Sequence, residues 1–277
     1  MAGTLYIVPT PIGNLGDLSP RAAETLRSVG IIACEDTRHT QKLLNHFGIK
    51  AELLSYHEHN EQQRSTELIR KLESGISVAL VSDAGTPAIS DPGVPLVRAA
   101  HKAGIRVISL PGPSALVAAV AASGLGTDAI FFAGFLPSRP GQRRKRLREC
   151  AEIPATLVFY ESPHRIAASL ADCLAVLGDR VASVSRELSK LHEETLTGKI
   201  SELITKFDAK AKGEFVLVID RANVKAENAE TDTPDLKERV KAFEAEGLSP
   251  REALKKAAKE AGINRSEAYR LLHIDGD

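Results

Sequence analysis

Short apolar runs punctuate the first part of the chain at regular intervals. "TLYIVPT", "GIIACED", "AELLSY", "SVALVSD" and "RVISLPG" are rich in β-branched and aliphatic residues, and amphipathic stretches separate them. Switching from a period of two to one of 3.6 and back is the signature of a mainly parallel sheet with helical crossovers, so residues 1–125 read as an α/β domain. The break "GLGTD" at 124 to 128 interrupts this rhythm. Strand-like runs then resume as "AIFFAGF", "ATLVFYES", "RVASVSREL", "HEETLTG" and "GEFVLVID". Several lack an intervening helix, which predicts a mixed sheet with antiparallel pairs over 126–222. The polar stretch "RANVKAENAETDTP" at 221 to 234 shows neither period, so 223–234 read as a linker and 235–277 as a small helical segment. Within that segment Ser249, Pro250 and Glu252 mark one helix start, Gly262 its end, and Asn264 with Glu267 a second start. Two short helices around a tight turn resemble a helix-turn-helix, and equally a small bundle that packs on the body or on another protein.

Composition narrows the setting without naming a task. A chain of 277 residues is long enough for two domains, with 43% apolar and 26% charged residues. Lys+Arg number 36 and Asp+Glu 36, so any attraction to nucleic acid must come from local patches. Cys34, Cys150 and Cys173 form no CxxC, which fits a reducing cytoplasm. The apolar run "ALVAAVAA" at 115 to 122 falls well short of the roughly 20 residues that span a bilayer, and no signal-peptide pattern opens the chain. A cytoplasmic protein without membrane contact is expected.

The candidate chemistry starts at "LVSDAGTPAISDPG", positions 80 to 93, which follows a buried-strand run yet carries two aspartates and no basic residue. In open α/β sheets ligands sit outside the carboxyl ends of strands, where this loop falls. Asp83 and Asp91 would repel a phosphate, and the chain offers no GK[ST] there, so the loop suits a ligand bearing positive charge or hydroxyl and amine donors. Asp91 also reads as the N-cap of a helix that follows it. A second strand-end loop, "LPGPSALVAA" at 110 to 119, places Ser114 at a helix start and could line the same cleft. "VPTPIGNLGDLS" holds Gly13 and Gly16 as GxxG and so fails the dinucleotide fingerprint.

Taken together, "VPTPIGNLGDLSPRA", "CEDTRHTQKLL", "SYHEHNE", "VSDAGTPAISDPG", "LPGPSA", "GFLPSRPGQRRKRL", "FYESPHRI" and "SRELSKLHEE" resemble the tetrapyrrole-methylase superfamily. More narrowly they resemble its bacterial small-subunit (16S) ribosomal RNA methyltransferases, which methylate the 2'-oxygen of a cytidine. The resemblance implies a two-domain tetrapyrrole-methylase-like α/β fold and S-adenosyl-L-methionine in the interdomain cleft. It also implies a homodimer acting on small-subunit ribosomal RNA or the 30S particle. It places Asp83, Ala84, Gly85, Thr86 and Ile89 on the cofactor, although the order here is Asp-Ala-Gly-Thr-Pro where the family has a Gly-Asp-Pro-like loop. Ser114 and Ala115 match its second cofactor loop, and Tyr160 and Leu188 would approach the adenosine from the other domain.

The basic run "PSRPGQRRKRLR" at 137 to 148 contains no acid. It reads as an RNA-binding loop using Arg139, Arg143, Arg144, Lys145 and Arg146 on phosphates, or else as a solvated helix face. Methyl transfer from a sulfonium needs alignment and help with the hydroxyl proton, for which Glu161 or Glu187 is a candidate base and Arg186 or Lys190 a cationic partner. Glu187 beside Arg186 could equally be a structural ion pair, and His192 falls on an expected strand. His57 and His59 in "SYHEHNE" would share a strand face, yet lack a third ligand spacing, and the chemistry needs no metal. Two alternatives stand beside this reading: a methylase of a small tetrapyrrole, and a non-catalytic RNA-binding assembly factor.

Overall fold

The computed structural model describes residues 1–207, 213–222, 236–260 and Ala268. The first sheet holds β1 (Thr4–Ile7), β2 (Ile31–Cys34), β3 (Glu52–Ser55), β4 (Val78–Val81) and β5 (Arg106–Ser109) in the order β3-β2-β4-β1-β5. All its pairs are parallel, as the alternating pattern implies. Helices α1 (Pro20–Ser28), α2 (Thr37–His46), α3 (Glu61–Glu73) and α4 (Val94–Lys102) form the crossovers. Every residue of β2 and β4 is buried, because helices cover both faces. Alternate side chains serve opposite cores: Ile32, Cys34, Ala79 and Val81 pack with Leu26 and Leu44, whereas Ile31, Ala33, Val78 and Leu80 pack with Leu68, Leu72 and Leu96.

The second sheet runs β6-β7-β10-β8-β9, with β6 (Ile130–Phe135), β7 (Thr156–Glu161), β8 (Val181–Arg186), β9 (Glu194–Lys199) and β10 (Phe215–Ile219). Only β6 and β7 are parallel; β10 is antiparallel to β7 and β8, and β8 to β9. This is the mixed sheet expected from strands without intervening helices. One face packs under α6 (Pro140–Ala151), α7 (Ile166–Leu177) and α8 (Ile200–Ile204), around Leu147, Phe159, Leu170, Cys173 and Leu217. The other face, Val158, Val216 and Val218, receives Ala119 and Val120 of α5 (Ala115–Ser123). Helix α5 lies before residue 125 in the chain but is covered by the second sheet. It therefore ties the two lobes together, and residues 1–222 form one compact unit.

A second unit follows, in which α9 (Leu236–Ala245) and α10 (Pro250–Glu260) bring Leu236 and Val240 against Leu254, Ala258 and Ala268. At the start of α10 the Glu252 carboxylate accepts from both the backbone N–H of Ser249, at 3.2 Å, and its hydroxyl, at 2.6 Å. The linker at 223–234 and the expected second helix, with Gly262, Asn264 and Glu267, lie outside the described residues. Among the described residues no helix is long and apolar enough to cross a membrane.

Candidate active site

Three loops at the carboxyl ends of β1, β4 and β5 lock together. Thr10 and Gly85 exchange backbone hydrogen bonds at 2.9 and 3.0 Å, the Thr10 hydroxyl donates to the Ser82 carbonyl at 3.0 Å, and the Thr86 hydroxyl donates to the Pro113 carbonyl at 3.1 Å. Gly85 has φ +80°, and a Cβ there would sit 3.4 Å from Ile12. Ala88 and Ser90 also occupy the left-handed region, at φ 66° and 60°, with no glycine to relieve them. Such strain persists only where surroundings over-determine the loop, and it gathers at ligand sites.

These loops form one wall of a cleft of about 400 Å³ whose other wall comes from the second sheet. Asp83, Ala84, Gly85, Thr86, Ile89, Ser114, Ala115 and Tyr160 all line it. Leu188 does not: it is buried against Val216 and Ala119 and edges a neighbouring depression with Ser189 and Asp17. Asp91 of the acidic loop lines it too, and so do residues that the sequence left unmarked, chiefly Ile12, Phe135, Glu214 and Val216. Phe135 is 57% exposed and stacks edge-on against Tyr160, at 5.4 Å between ring centres. In the sequence Phe135 simply closes the apolar run "AIFFAGF", and nothing local marks it as exposed.

Electrostatically the cleft has one sign. Its lining among the described residues includes Asp83, Asp91, Glu161 and Glu214 and neither lysine nor arginine. Burial, and then the nearby charges of Glu35 and Asp83, raise the Asp91 carboxyl to about 6, against the help of a hydrogen bond from Ser82. Glu35 is raised too, by burial first and Asp83 next. The N-cap assignment for Asp91 is thereby corrected: α4 begins at Val94 with Gly93 as its cap, because Pro92 and Gly93 carry the chain past the aspartate before the helix turns. Carboxyl groups buried this close to other acids favour a cationic guest. A phosphate would not be held here.

The candidate catalytic groups fall into two sets. Glu161 is buried and its oxygens are already engaged: they accept from the Ser162 backbone N–H at 2.7 Å and the Ser169 hydroxyl at 2.5 Å, and pair with Arg165 at 2.7 Å. That arrangement fixes the β7–α7 junction and commits both carboxylate oxygens to partners within the second lobe. Arg186 pairs with Glu194 at 2.9 Å across β8 and β9. By contrast, Lys190 reaches Glu187 at 2.9 Å and Glu214 at 3.0 Å, at the edge of the cleft that Glu214 lines. The hydrogen bond from Lys190 holds Glu187 below the usual carboxylate range despite burial. Burial alone would lower Lys190, but its two carboxylate partners outweigh it and raise it. Glu187 and Ser189 are left-handed, at φ 50° and 68°. A Cβ on Gly13 would overlap the Lys190 stem, so the β1 loop presses directly on this side chain.

Two further expectations change. The basic run is helix α6 from Pro140 onward, not a loop, and its 143–147–150 spacing turns Arg143, Leu147 and Cys150 inward. Arg143 is 3% exposed and pairs with Asp172 at 2.6 Å, and Arg144 binds the other Asp172 oxygen at 2.6 Å. The compensating acid missing from the run comes from α7. Arg143 is therefore corrected from an RNA contact to a buried strut, while Arg139, Arg144 and Lys145 stay exposed and Arg146 is half-buried beside Glu149 and Phe131. The second change concerns the histidines. Strand β3 stops at Ser55, so His57 and His59 lie in the turn that follows it, edge to face at 5.9 Å, and His192 lies in the turn before β9.

The family model described as Tetrapyrrole (Corrin/Porphyrin) Methylases matches residues 4–204. A protein of Xylella fastidiosa strain Temecula1, "Ribosomal RNA small subunit methyltransferase I", is 50% identical over 273 residues, covering 96% of this chain and 98% of its own. Its namesake in Escherichia coli O157:H7 is 44% identical over 272 residues, covering 97% and 94%. Among solved structures, the methyltransferase CobJ superposes with a TM-score of 0.58 at 19% identity over 80% of this chain and 95% of that one. Diphthine synthase superposes with a TM-score of 0.58 at 16% identity, covering 79% and 90%. These two likenesses show the fold.

Proposed function

The chain belongs to the tetrapyrrole methylase family, whose methyl donor is S-adenosylmethionine, and from that premise we propose that it methylates small-subunit ribosomal RNA at the 2'-oxygen of a cytidine. The observation that carries this reading is the cleft lined by Asp83, Asp91, Glu161 and Glu214, in a chain half identical along nearly its whole length to a protein named for that RNA. The donor's sulfonium and ammonium suit Asp83 and Asp91, and its flat adenine suits the apolar surface of Ile89, Phe135 and Tyr160. When bound, S-adenosylmethionine supplies a methyl group on a sulfonium leaving group.

What this chain's residues must do is hold the acceptor in line and manage its proton. Lys190, held by Glu187 and Glu214, would supply the cation that stabilises an emerging alkoxide, and Glu187, kept below the usual carboxylate range by the same bond, serves chiefly to position that lysine. Asp83 and Glu214 lie between this cluster and the cleft. Glu161, Arg165 and Ser169 keep the second wall rigid. Action in the cytoplasm as a homodimer belongs to the same proposal.

The test is incubation with methyl-labelled donor and either small ribosomal subunits or their naked RNA, followed by alkaline hydrolysis. A 2'-O-methyl group removes the internal nucleophile, so the label must emerge in an alkali-resistant dinucleotide containing cytidine. Label on a base, or transfer only to an added tetrapyrrole, would overturn the proposal.

A further inference from the structure

A second pocket, of about 350 Å³, lies on the far side of the Asp83–Ala84 segment from the donor cleft. The two share Ile12, Asp83, Ala84 and Glu214, so they meet at that segment. Its walls differ in kind from those of the acid-lined cleft. Helix α2 presents His39, Lys42 and Leu43, which at spacings of three and four fall on one helix face. Pro11, Ile12, Gly13 and Leu15 of the β1 loop stand nearby, and Lys190 closes the inner end. Leu15 is 41% exposed in a polar turn, an apolar side chain without cover. Lys42 and His39 are exposed and have no acidic partner among the described residues, whereas Lys190 is held by two.

We infer that this pocket seats the acceptor nucleotide, with its backbone phosphate on Lys42 and His39, its base against Leu15 and Leu43, and its ribose inward beside Lys190. The polarity of the pocket sets that order. Asp83 and Glu214 at the inner end would repel a phosphate, so the anion belongs at the outer, α2 end and the neutral ribose at the inner end. A volume near the lower bound of small-ligand pockets admits one extruded nucleotide at a time. The inference rests on the methyl-transfer reading and names where its acceptor lies.

The experiment titrates a labelled small-subunit ribosomal RNA fragment with the full-length protein, adenosylhomocysteine present, and follows anisotropy at several salt concentrations. The double variant His39→Ala/Lys42→Ala should bind roughly tenfold more weakly and lose about one unit of salt slope. Its donor affinity, read by calorimetry, should match the parent. Leu15→Ala should weaken RNA binding without changing the slope. Lys71→Ala, the same loss of charge at the opposite end of the first sheet, where Leu72 binds Gly3, should do neither. Unchanged RNA affinity and slope in the double variant, with donor binding intact, would overturn the inference. If the parent transfers no methyl group yet the double variant still loses RNA affinity, the pocket stands as a nucleotide site and the methyl-transfer reading fails.

Discussion

Replacing Asp91 by asparagine should move stability and donor affinity in opposite directions. In the folded chain this carboxyl titrates at about 6 instead of 3.8, because it is buried beside Glu35 and Asp83. Between those two values the folded state binds more protons than the unfolded state, so the protein gains stability as pH falls through 6. Above 6 both states are ionised and the penalty is present in full, which solvent screening of this partly exposed group holds to about 1–2 kcal/mol. An asparagine side chain at this position carries no charge and escapes the penalty. The Asp91→Asn variant should therefore be about 1–2 kcal/mol more stable than the parent in urea at pH 7, and the gap should close near pH 4.

Donor binding carries the other sign. A cation is favoured by the ionised carboxylate, so protonation of Asp91 should raise the donor Kd about tenfold between pH 7 and pH 5, or about 1.4 kcal/mol. Asp91→Asn should bind weakly at both values, with a flat profile over that window. Calorimetry with S-adenosylmethionine reads the affinity, and urea unfolding followed by circular dichroism reads the stability. A parent Kd that does not change from pH 7 to pH 5, or an asparagine variant no more stable at pH 7, would refute the claim that crowded acids built for a cation explain the cleft.

Four other outcomes are expected. Asp172→Ala strands Arg143, whose side chain is buried, and should cost about 3–5 kcal/mol in urea unfolding. Arg144→Ala removes the exposed partner of the same acid and should cost under about 1 kcal/mol. Single-turnover methyl transfer should separate the two glutamates: Glu187→Gln should slow it roughly a hundredfold, whereas Glu161→Gln should lower stability by about 1–3 kcal/mol and leave the rate of the folded enzyme largely intact. Reversing Lys145 and Arg148 to glutamate, on the exposed face of α6, should reduce the salt slope of RNA binding by about two without changing donor affinity.

What can be read in the chain alone divides along a physical line. Strands are legible because a parallel sheet buried on both faces leaves unbroken apolar runs such as "VALV", and strand-end loops are legible because a position outside a carboxyl end follows from topology. Hence eight of the nine residues tied to the donor by resemblance line one cleft. Errors arise where a side chain's partner is distant in sequence. Arg143 looks free because Asp172 comes from another helix. Asp91 looks like a cap because its proximity to Glu35 is set by the adjacency of β2 and β4, which local spacing does not encode. For Arg143 a correction is nonetheless within reach. Read at 3.6 residues per turn, the basic run puts that arginine on the stripe of Leu147 and Cys150, and a charge on an apolar stripe demands a buried partner. The same periodicity applied to "DTRHTQKLL" sets His39, Lys42 and Leu43 together on the face that lines the second pocket. Helical phase, more than local charge density, therefore separates the basic residues held within this protein from those left to meet an anion.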